Sequence, residues 1–428
     1  MNITITSHGT RGDVQPYLTL AVGLQQAGHR VTLVTSYNYN NWIESYGVRT
    51  HPTQFSVQEW MKKPEIQAIL GGRNFLKQMQ LFMGFMKEEG PKAMDEVWAS
   101  IQGADFVIQS PASGGAIEAS QTLGLPVAMA YPGPFAPTRE YPSVFIGRPR
   151  FSLGGGYNRM THALMHSMLW GSMSGLMAKA LSKKLNQPAM RSFAQQAEYM
   201  RQKGVPELNG FSEHVLPRPA DWDENQHITG YWFLETPSDW QPDPALLQFL
   251  ESGPPPVYVG FGSMAVGDPE EKTRLILKAL EMSGQRAVVL TGWGGLTRQT
   301  APPNIFFVDD VPHGWLFSRT SALVHHGGAG TTGEGVRAGV PNIITPLGAD
   351  QFFWAERMVK LGTGPKAPAF KDLTAESLAQ AIQTAVQDQA MRARAAALGE
   401  KIRAEDGVAR AVEIIEGYAE AHKRRESI

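Results

Sequence analysis

The chain has 428 residues, a formal net charge of −1, 42% hydrophobic residues, 44 glycines, 29 prolines and no cysteine. Its length favours two domains over one core, and its apolar content excludes a disordered chain. The near-neutral charge argues against nucleic acid as a partner, and the missing cysteines exclude disulfides, thiol catalysis and zinc–thiolate sites.

Met1 to Thr6 has neither a basic leader nor a long apolar run, so no signal peptide is expected and a cytoplasmic location is the default. Asn2 to Ser7 reads as a strand, Gly9 to Asp13 as a turn, Pro16 to Ala27 as a helix ended by Gly28, and His29 to Thr35 as a second strand. Phe106 to Gln109, Ala116 to Leu123 and Val127 to Ala130 continue the alternation. Trp60 to Met94 and Tyr157 to Met200 read as helical and Met-rich. Their methionines suit ordinary core or an adaptable apolar cleft. The run from Met160 to Leu181 is too polar to span a membrane. Ile228 to Phe233 reads as the last strand of the first half, and the proline-rich Thr236 to Pro244 as a linker.

A second series begins at Pro256. It runs strand Val257 to Phe261, a helix near Glu270 to Met282, strands Ala287 to Leu290 and Ile305 to Val308, and strand Ala322 to Val324. Leu373 to Glu426 is mostly helix, interrupted around Glu405-Asp406-Gly407. The expected architecture is α/β, two doubly wound domains facing across a cleft. They cover 1–235 and 236–409, with a C-terminal helix of about 410–428 packing back on the first.

The stretch from Val311 to Gln351 carries most of the chemistry. After the Ala322 strand come His325-His326, the turn Gly327-Gly328-Ala329-Gly330-Thr331-Thr332-Gly333, and a helix expected to start at Gly333. Glycines let the backbone approach a ligand, and a helix N-terminus offers free N–H groups to phosphate. Gly328-x-Gly330-x-x-Gly333 formally matches a dinucleotide fingerprint, with Asp350 seventeen residues further on. An NAD-type oxidoreductase and a catalytically silent lipid-binding scaffold are therefore alternative readings.

The same stretch resembles the donor signature of UDP-sugar-dependent GT-B glycosyltransferases (glycosyltransferase family 1). There a His precedes the glycine turn, a Glu lies eight residues later, and Asp-Gln follows at twenty-four and twenty-five. His326, Glu334, Asp350 and Gln351 keep that register. Gly9 to Pro16 resembles the matching loop of sterol 3β-glucosyltransferases and of antibiotic-tailoring members, while Ile228 to Leu234, Gly260 to Met264, Gly292-Trp293-Gly294-Gly295 and Pro312 to Phe317 look most like the sterol branch. The likeness spans nearly the whole chain.

This resemblance implies a metal-independent, inverting transfer of a hexose, glucose in the first instance, from a UDP-sugar to a hydroxyl on a hydrophobic acceptor. The UDP-sugar is a co-substrate, with no resident cofactor and no metal. Asp13 fills the slot where many plant relatives place a basic His and is assigned as general base, against a bland reading as a helix cap. His8 competes for that role. No carboxylate stands at Val107 to Ser110, where plant members orient the His. His326 would contact the diphosphate, with Gly328, Ala329, Gly330, Thr331, Thr332 and Ser263 around it. Glu334 would take the ribose hydroxyls, and Asp350 with Gln351 the hexose. Trp293 joins the donor set. Asp310 replaces the plant tryptophan that stacks on uracil, which leaves the base to the backbone around Val311 and His313. Asp221-Trp222-Asp223 is formally a DxD pair but is read as chance. Arg148, Arg150 and Lys423-Arg424-Arg425 are read as solvated surface, allowing only weak peripheral contact with anionic lipid. The acceptor is expected to enter past 60–94 and 132–170, with Phe82 and Met165 among the lining candidates.

Overall fold

The computed structural model describes residues 1–54, 56, 59, 60, 63, 66, 75–111, 113–146, 152–170, 175, 179, 182, 183, 190–262, 268–291 and 296–426. The chain divides into two compact units. One comprises Met1–Ser143, Pro149–Leu234 and Asp406–Ile428; the other comprises Val144–Arg148 and Glu235–Glu405.

The first unit is built on strands β1 (Asn2–Thr6), β2 (Arg30–Val34), β3 (Arg49–Thr50), β4 (Phe106–Gln109), β5 (Val127–Tyr131), β6 (Glu207–Asn209) and β7 (Gln226–Ile228). They pair in parallel in the order β3-β2-β1-β4-β5-β6-β7. Every residue of β4 and β5 is buried, as expected of parallel strands covered on both faces. The helices are α1 (Arg11–Gln26), α2 (Asn40–Glu44), α3 (Phe75–Ser100), α4 (Ala116–Leu123), α5 (Gly154–Leu169) and α6 (Phe193–Lys203). The chain's last helix also belongs here: Ala411, Val412, Ile415 and Ala419 share a core with Leu18, Leu20 and Leu24 of α1. Gly23 permits that approach, because a side chain there would collide with Val408.

The second unit has strands β8 (Val257–Gly260), β9 (Ala287–Leu290), β10 (Ile305–Val308), β11 (Ala322–His325) and β12 (Asn342–Ile344), all parallel, in the order β10-β9-β8-β11-β12. Its helices are α7 (Pro244–Glu251), α8 (Pro269–Ser283), α9 (His313–Phe317), α10 (Ala329–Ala338), α11 (Gln351–Leu361), α12 (Ala375–Gln387) and α13 (Gln389–Arg403); α14 (Gly407–Glu426) is the returning helix just described. No helix among the described residues is long and apolar enough to cross a membrane.

Among the boundaries that differ from the sequence reading, three have a plain local cause. Helix α1 starts at Arg11, not Pro16, because Thr10 and Asp13 cap it and Pro16 is carried inside. Helix α10 starts at Ala329, four residues before Gly333, so the glycine turn is itself the first helical turn. The strand assigned to Ile228–Phe233 is Gln226–Ile228 instead. Gly230 takes a positive φ of 97° there, and Trp232 leaves the ladder to meet Tyr17 edge-on at 6.3 Å and donate to Thr229 Oγ1 at 3.0 Å. Its aromatic run is core, not strand. β3 and β6, two and three residues long, escaped notice because so short a run has no readable period.

Candidate active site

In an open parallel sheet, ligand groups gather at the carboxyl ends of the strands where the strand order reverses. In the first unit that point lies between β1 and β4, and in the second between β8 and β11. His8 and Asp13 follow β1 at the first, and His326, the Gly328–Thr332 turn and Glu334 follow β11 at the second; Val311 and His313 follow β10, and Asp350 and Gln351 follow β12.

At the first, the loop after β1 delivers His8 and then enters α1. Asp13 occupies the third helical position. Its Oδ2 accepts from the Thr10 N–H at 2.7 Å and from Thr10 Oγ1 at 2.9 Å, which is the carboxylate half of a capping box. Ser7 Oγ donates to the Asp13 carbonyl at 2.7 Å. Gly9 sits at φ 140°, and a side chain there would collide with the Asp13 carboxylate. The cap and a candidate base are thus one group. Burial raises the Asp13 carboxyl above its ordinary pKa, with the two Thr10 bonds opposing the shift. A carboxylate lifted this way is a better proton acceptor.

His8 reaches the loop after β4, with Nδ1 3.2 Å from Ser113 Oγ, and burial lowers its pKa to about 4. Burial therefore weakens the imidazole as a base while it strengthens the carboxylate. At the end of β4, Gln109 Oε1 accepts from the Ile117 N–H at 3.0 Å, so this side chain braces α4.

At the second point, β11 ends in two histidines with different work. His325 is fully buried, Nε2 facing Asn342 Oδ1 at 3.0 Å while Nδ1 accepts from the Gly327 N–H at 3.1 Å. These contacts select the Nε2–H tautomer, and burial lowers its pKa to about 3. His325 thereby pins the glycine turn. His326 projects between Gly262, after β8, and Gly328: added side chains would come within 3.5 Å of Cε1 and 2.7 Å of Nε2 respectively. Its Nδ1 is buried with no protein partner, and burial lowers its pKa to about 4. A neutral ring of this kind offers one donor to an anion.

Gly328 is the N-cap of α10, and as glycine it brings no side chain to satisfy the helix end. Ala329, Gly330 and Thr331 follow as the first three helical residues, whose N–H groups have no intrahelical acceptor. Thr332 is fully buried and its Oγ1 has no partner. Glu334 is 6% exposed, and burial pushes its carboxyl up to about 7, against the pull of Arg337 3.9 Å away. Gly314 lies over this carboxylate, its place for a side chain 3.6 Å from Oε2. That contact brings the Val311–His313 segment beside Glu334. His313 Nε2 lies 3.2 Å from the Tyr258 hydroxyl and its ring stacks on Phe317 at 4.5 Å, while Val311 is core.

The Leu347–Gln351 turn closes the set. Gln351 is 4% exposed, and its carbonyl oxygen accepts from the Leu347 and Gly348 N–H groups at 2.7 and 3.1 Å. Only its amide N–H groups are left for a ligand. Ala349 has φ 51°, the one positive value for a non-glycine among the described residues, and such strain gathers at functional turns. Asp350 Oδ2 accepts from Trp354 Nε1 at 2.9 Å.

Ser263, Trp293, Arg148 and Arg150 lie outside the described residues, as does the side chain of Phe82. The DxD pair is structural: Asp221 accepts from Thr138 Oγ1 at 2.6 Å and the Arg139 N–H at 2.8 Å, and Asp223 accepts from the Asn225 N–H. The dinucleotide fingerprint follows β11, the fourth strand of its sheet in chain order, whereas that motif belongs after the first. Sequence reasoning missed His325 and Asn342. A doubled histidine at a strand end was the available signal, but which ring faces inward is settled only by the sheet.

The model of the glycosyltransferase family 28 N-terminal domain matches residues 3–142, and that of the erythromycin biosynthesis protein CIII-like C-terminal domain matches 288–416. Sterol 3-beta-glucosyltransferases of Cryptococcus neoformans var. neoformans and Emericella nidulans are 36% and 35% identical, each over 97% of this chain. The chain spans 27% and 30% of their lengths. The crystal structure of the kitacinnamycin glycotransferase is similar at TM-score 0.67 and 19% identity, covering 98% of this chain and 99% of that one. Glycosyltransferase VinC in complex with DTDP gives 0.66 at 18% identity, covering 98% and 100%.

Proposed function

The chain belongs to the GT-B glycosyltransferases, and on that premise we propose that it transfers glucose or another hexose from a UDP-sugar to a hydroxyl of a hydrophobic, sterol-like acceptor, with inversion. Asp13 takes the proton of the acceptor hydroxyl. The acceptor oxygen then bonds to the anomeric carbon as the bond to the β-phosphate oxygen breaks, and UDP leaves with that electron pair. The N–H groups of Ala329 to Thr331 and the His326 ring, in place of a divalent cation, meet the charge developing on the diphosphate. Glu334 accepts from the ribose hydroxyls, and Asp350 with the Gln351 amide reads the hexose. Residues 1–235 hold the acceptor and 236–409 the donor.

The observation that carries the donor half is the convergence of a helix end without a side-chain cap, the partnerless His326 Nδ1 and the buried Glu334 carboxyl at one reversal of strand order. The sterol acceptor rests on the relatives' names, which describe proteins more than three times as long. The test is incubation with UDP-glucose or TDP-glucose and a panel of sterols and other lipophilic alcohols. Products are read by mass spectrometry and their anomeric configuration by NMR. A β-linked glucoside from UDP-glucose is expected. Absence of any glycoside across both donors, or retention of the α configuration, would sink the reading.

A further inference from the structure

Helix α5 wears its polarity inside out. On its inner face Asn158 Nδ2 donates to the Arg139 carbonyl at 2.8 Å, and Thr161 Oγ1 accepts from the Ser143 N–H at 2.9 Å. His162 Nε2 meets the Tyr141 carbonyl at 3.1 Å, and His166 Nε2 the Phe135 carbonyl at 2.9 Å. Burial lowers the pKa of both histidines, so these are neutral, desolvated contacts. The outer face carries Met160 and Leu164, preceded by the N-cap residue Leu153; they are 59%, 55% and 58% exposed. Their spacing of seven and four residues puts them on one stripe. A helix on a water-facing surface has the opposite arrangement, and these three are the most exposed large apolar side chains among the described residues.

The sequence that holds this helix is equally one-sided in charge. From Pro142 to Ala197 the sequence holds seven lysines and arginines and no aspartate or glutamate, in a chain whose formal net charge is −1. Lys179, Lys183 and Arg191 are exposed. Arg159 lies beside the stripe, its charge shared with Asp221 at 3.9 Å. A second protein with ordinary mixed surface charge would not explain a segment stripped of acids. A sheet of fixed negative charge over a hydrocarbon layer explains both features at once.

We propose that α5 lies in the interface of an anionic lipid bilayer, with Leu153, Met160 and Leu164 entering the acyl boundary and the surrounding cations facing the headgroups. The contact lies on the membrane rather than across it. It places the Phe135–Ser143 loop, which α5 holds through the four inner contacts, next to the lipid surface.

The test is sedimentation of the full chain with vesicles of equal parts phosphatidylglycerol and phosphatidylcholine, beside vesicles of phosphatidylcholine alone. It needs no turnover and stands apart from the glycosyl-transfer reading. The chain should partition to the anionic vesicles and leave them as salt is raised. The Met160→Glu, Leu164→Glu double variant should partition at least about tenfold more weakly, each carboxylate being costly to bring into the interface. Lys179→Glu with Lys183→Glu should weaken partition in the same direction. Val359→Glu, at an apolar position elsewhere that is 41% exposed, should leave it unchanged. Equal sedimentation of parent and Met160/Leu164 variant overturns the proposal, as does no sedimentation of the parent. So does a parent dimer in analytical ultracentrifugation that this variant dissolves.

Discussion

The two reversals of strand order end in the same device, a helix N-terminus, and use it oppositely. In the first unit α1 is capped from within. Asp13 lays its carboxylate across the Thr10 N–H and hydroxyl, so the helix end already holds an anion. In the second, α10 is capped by Gly328, and two polar side chains of that turn, His326 and Thr332, each keep a buried polar atom without a protein partner. One end holds its own charge and tunes that carboxylate toward a base. The other keeps its first N–H groups without a side-chain acceptor. The difference comes down to two positions of the helix end, N-cap and third residue: Thr10 and Asp13 against Gly328 and Thr331.

Removing the internal anion is the most drastic way to break this contrast. Asp13→Asn should lower turnover by roughly 10²–10⁴-fold, the usual weight of a general base, while calorimetry finds nucleotide affinity unchanged. Near-normal turnover would shift the role to His8.

Supplying the second end with an anion of its own is the reciprocal experiment. Gly330 has open space around its Cβ position, so Gly330→Asp places a carboxylate at the second helical position without a clash. The helix should hold its stability or gain a few tenths of a kcal/mol, because acids favour that position. Affinity for UDP should drop by about 10–100-fold, the cost of a like charge beside the diphosphate. Thermal melting and calorimetry on the same sample separate the two effects.

The buried Glu334 gives a pH signature. Its free-state carboxyl titrates near 7, and an acceptor for two ribose hydroxyls must be ionised. Nucleotide affinity should therefore fall as pH is lowered from 8 to 6, by up to about tenfold per unit below that pKa. Glu334→Gln should bind more weakly at pH 8 and flatten the dependence. An unaltered pH profile in that variant would detach Glu334 from the nucleotide.

The smallest expected effect is at Thr10. Thr10→Val deletes the hydroxyl bond to Asp13 but keeps the main-chain one, at about 1 kcal/mol of stability. With one stabilising bond to its charged form gone, Asp13 should titrate higher, moving the acid limb of the pH–rate profile upward. A limb that stays in place, with only the melting temperature lowered, would leave Thr10 a cap and nothing more.

Much of this was legible in one dimension. The apolar runs at Phe106–Gln109, Ala287–Leu290 and Ile305–Val308 match observed strands end for end, since strands buried on both faces need no partner to be recognised. The spacing of His326, Glu334 and Asp350-Gln351 was readable because it is a matter of residue intervals across a strand end, a helix and a turn. Local sequence also holds the helix-end chemistry, Thr10 three residues before Asp13 and Gly328 before Ala329, but a reading that starts these helices at Pro16 and Gly333 passes over both caps.

Tertiary structure alone decided what depends on distant chain. It swung Trp232 out of the expected strand onto Tyr17, and it turned His325 to Asn342 while His326 went between Gly262 and Gly328. It also moved the Asp13 carboxyl up and the His8 ring down, because burial is a property of everything packed around a group. The inverted polarity of α5 belongs here too. Its residues spell an ordinary amphipathic helix, and only the Phe135–Ser143 loop, by bonding the polar side, determines which face meets the surroundings.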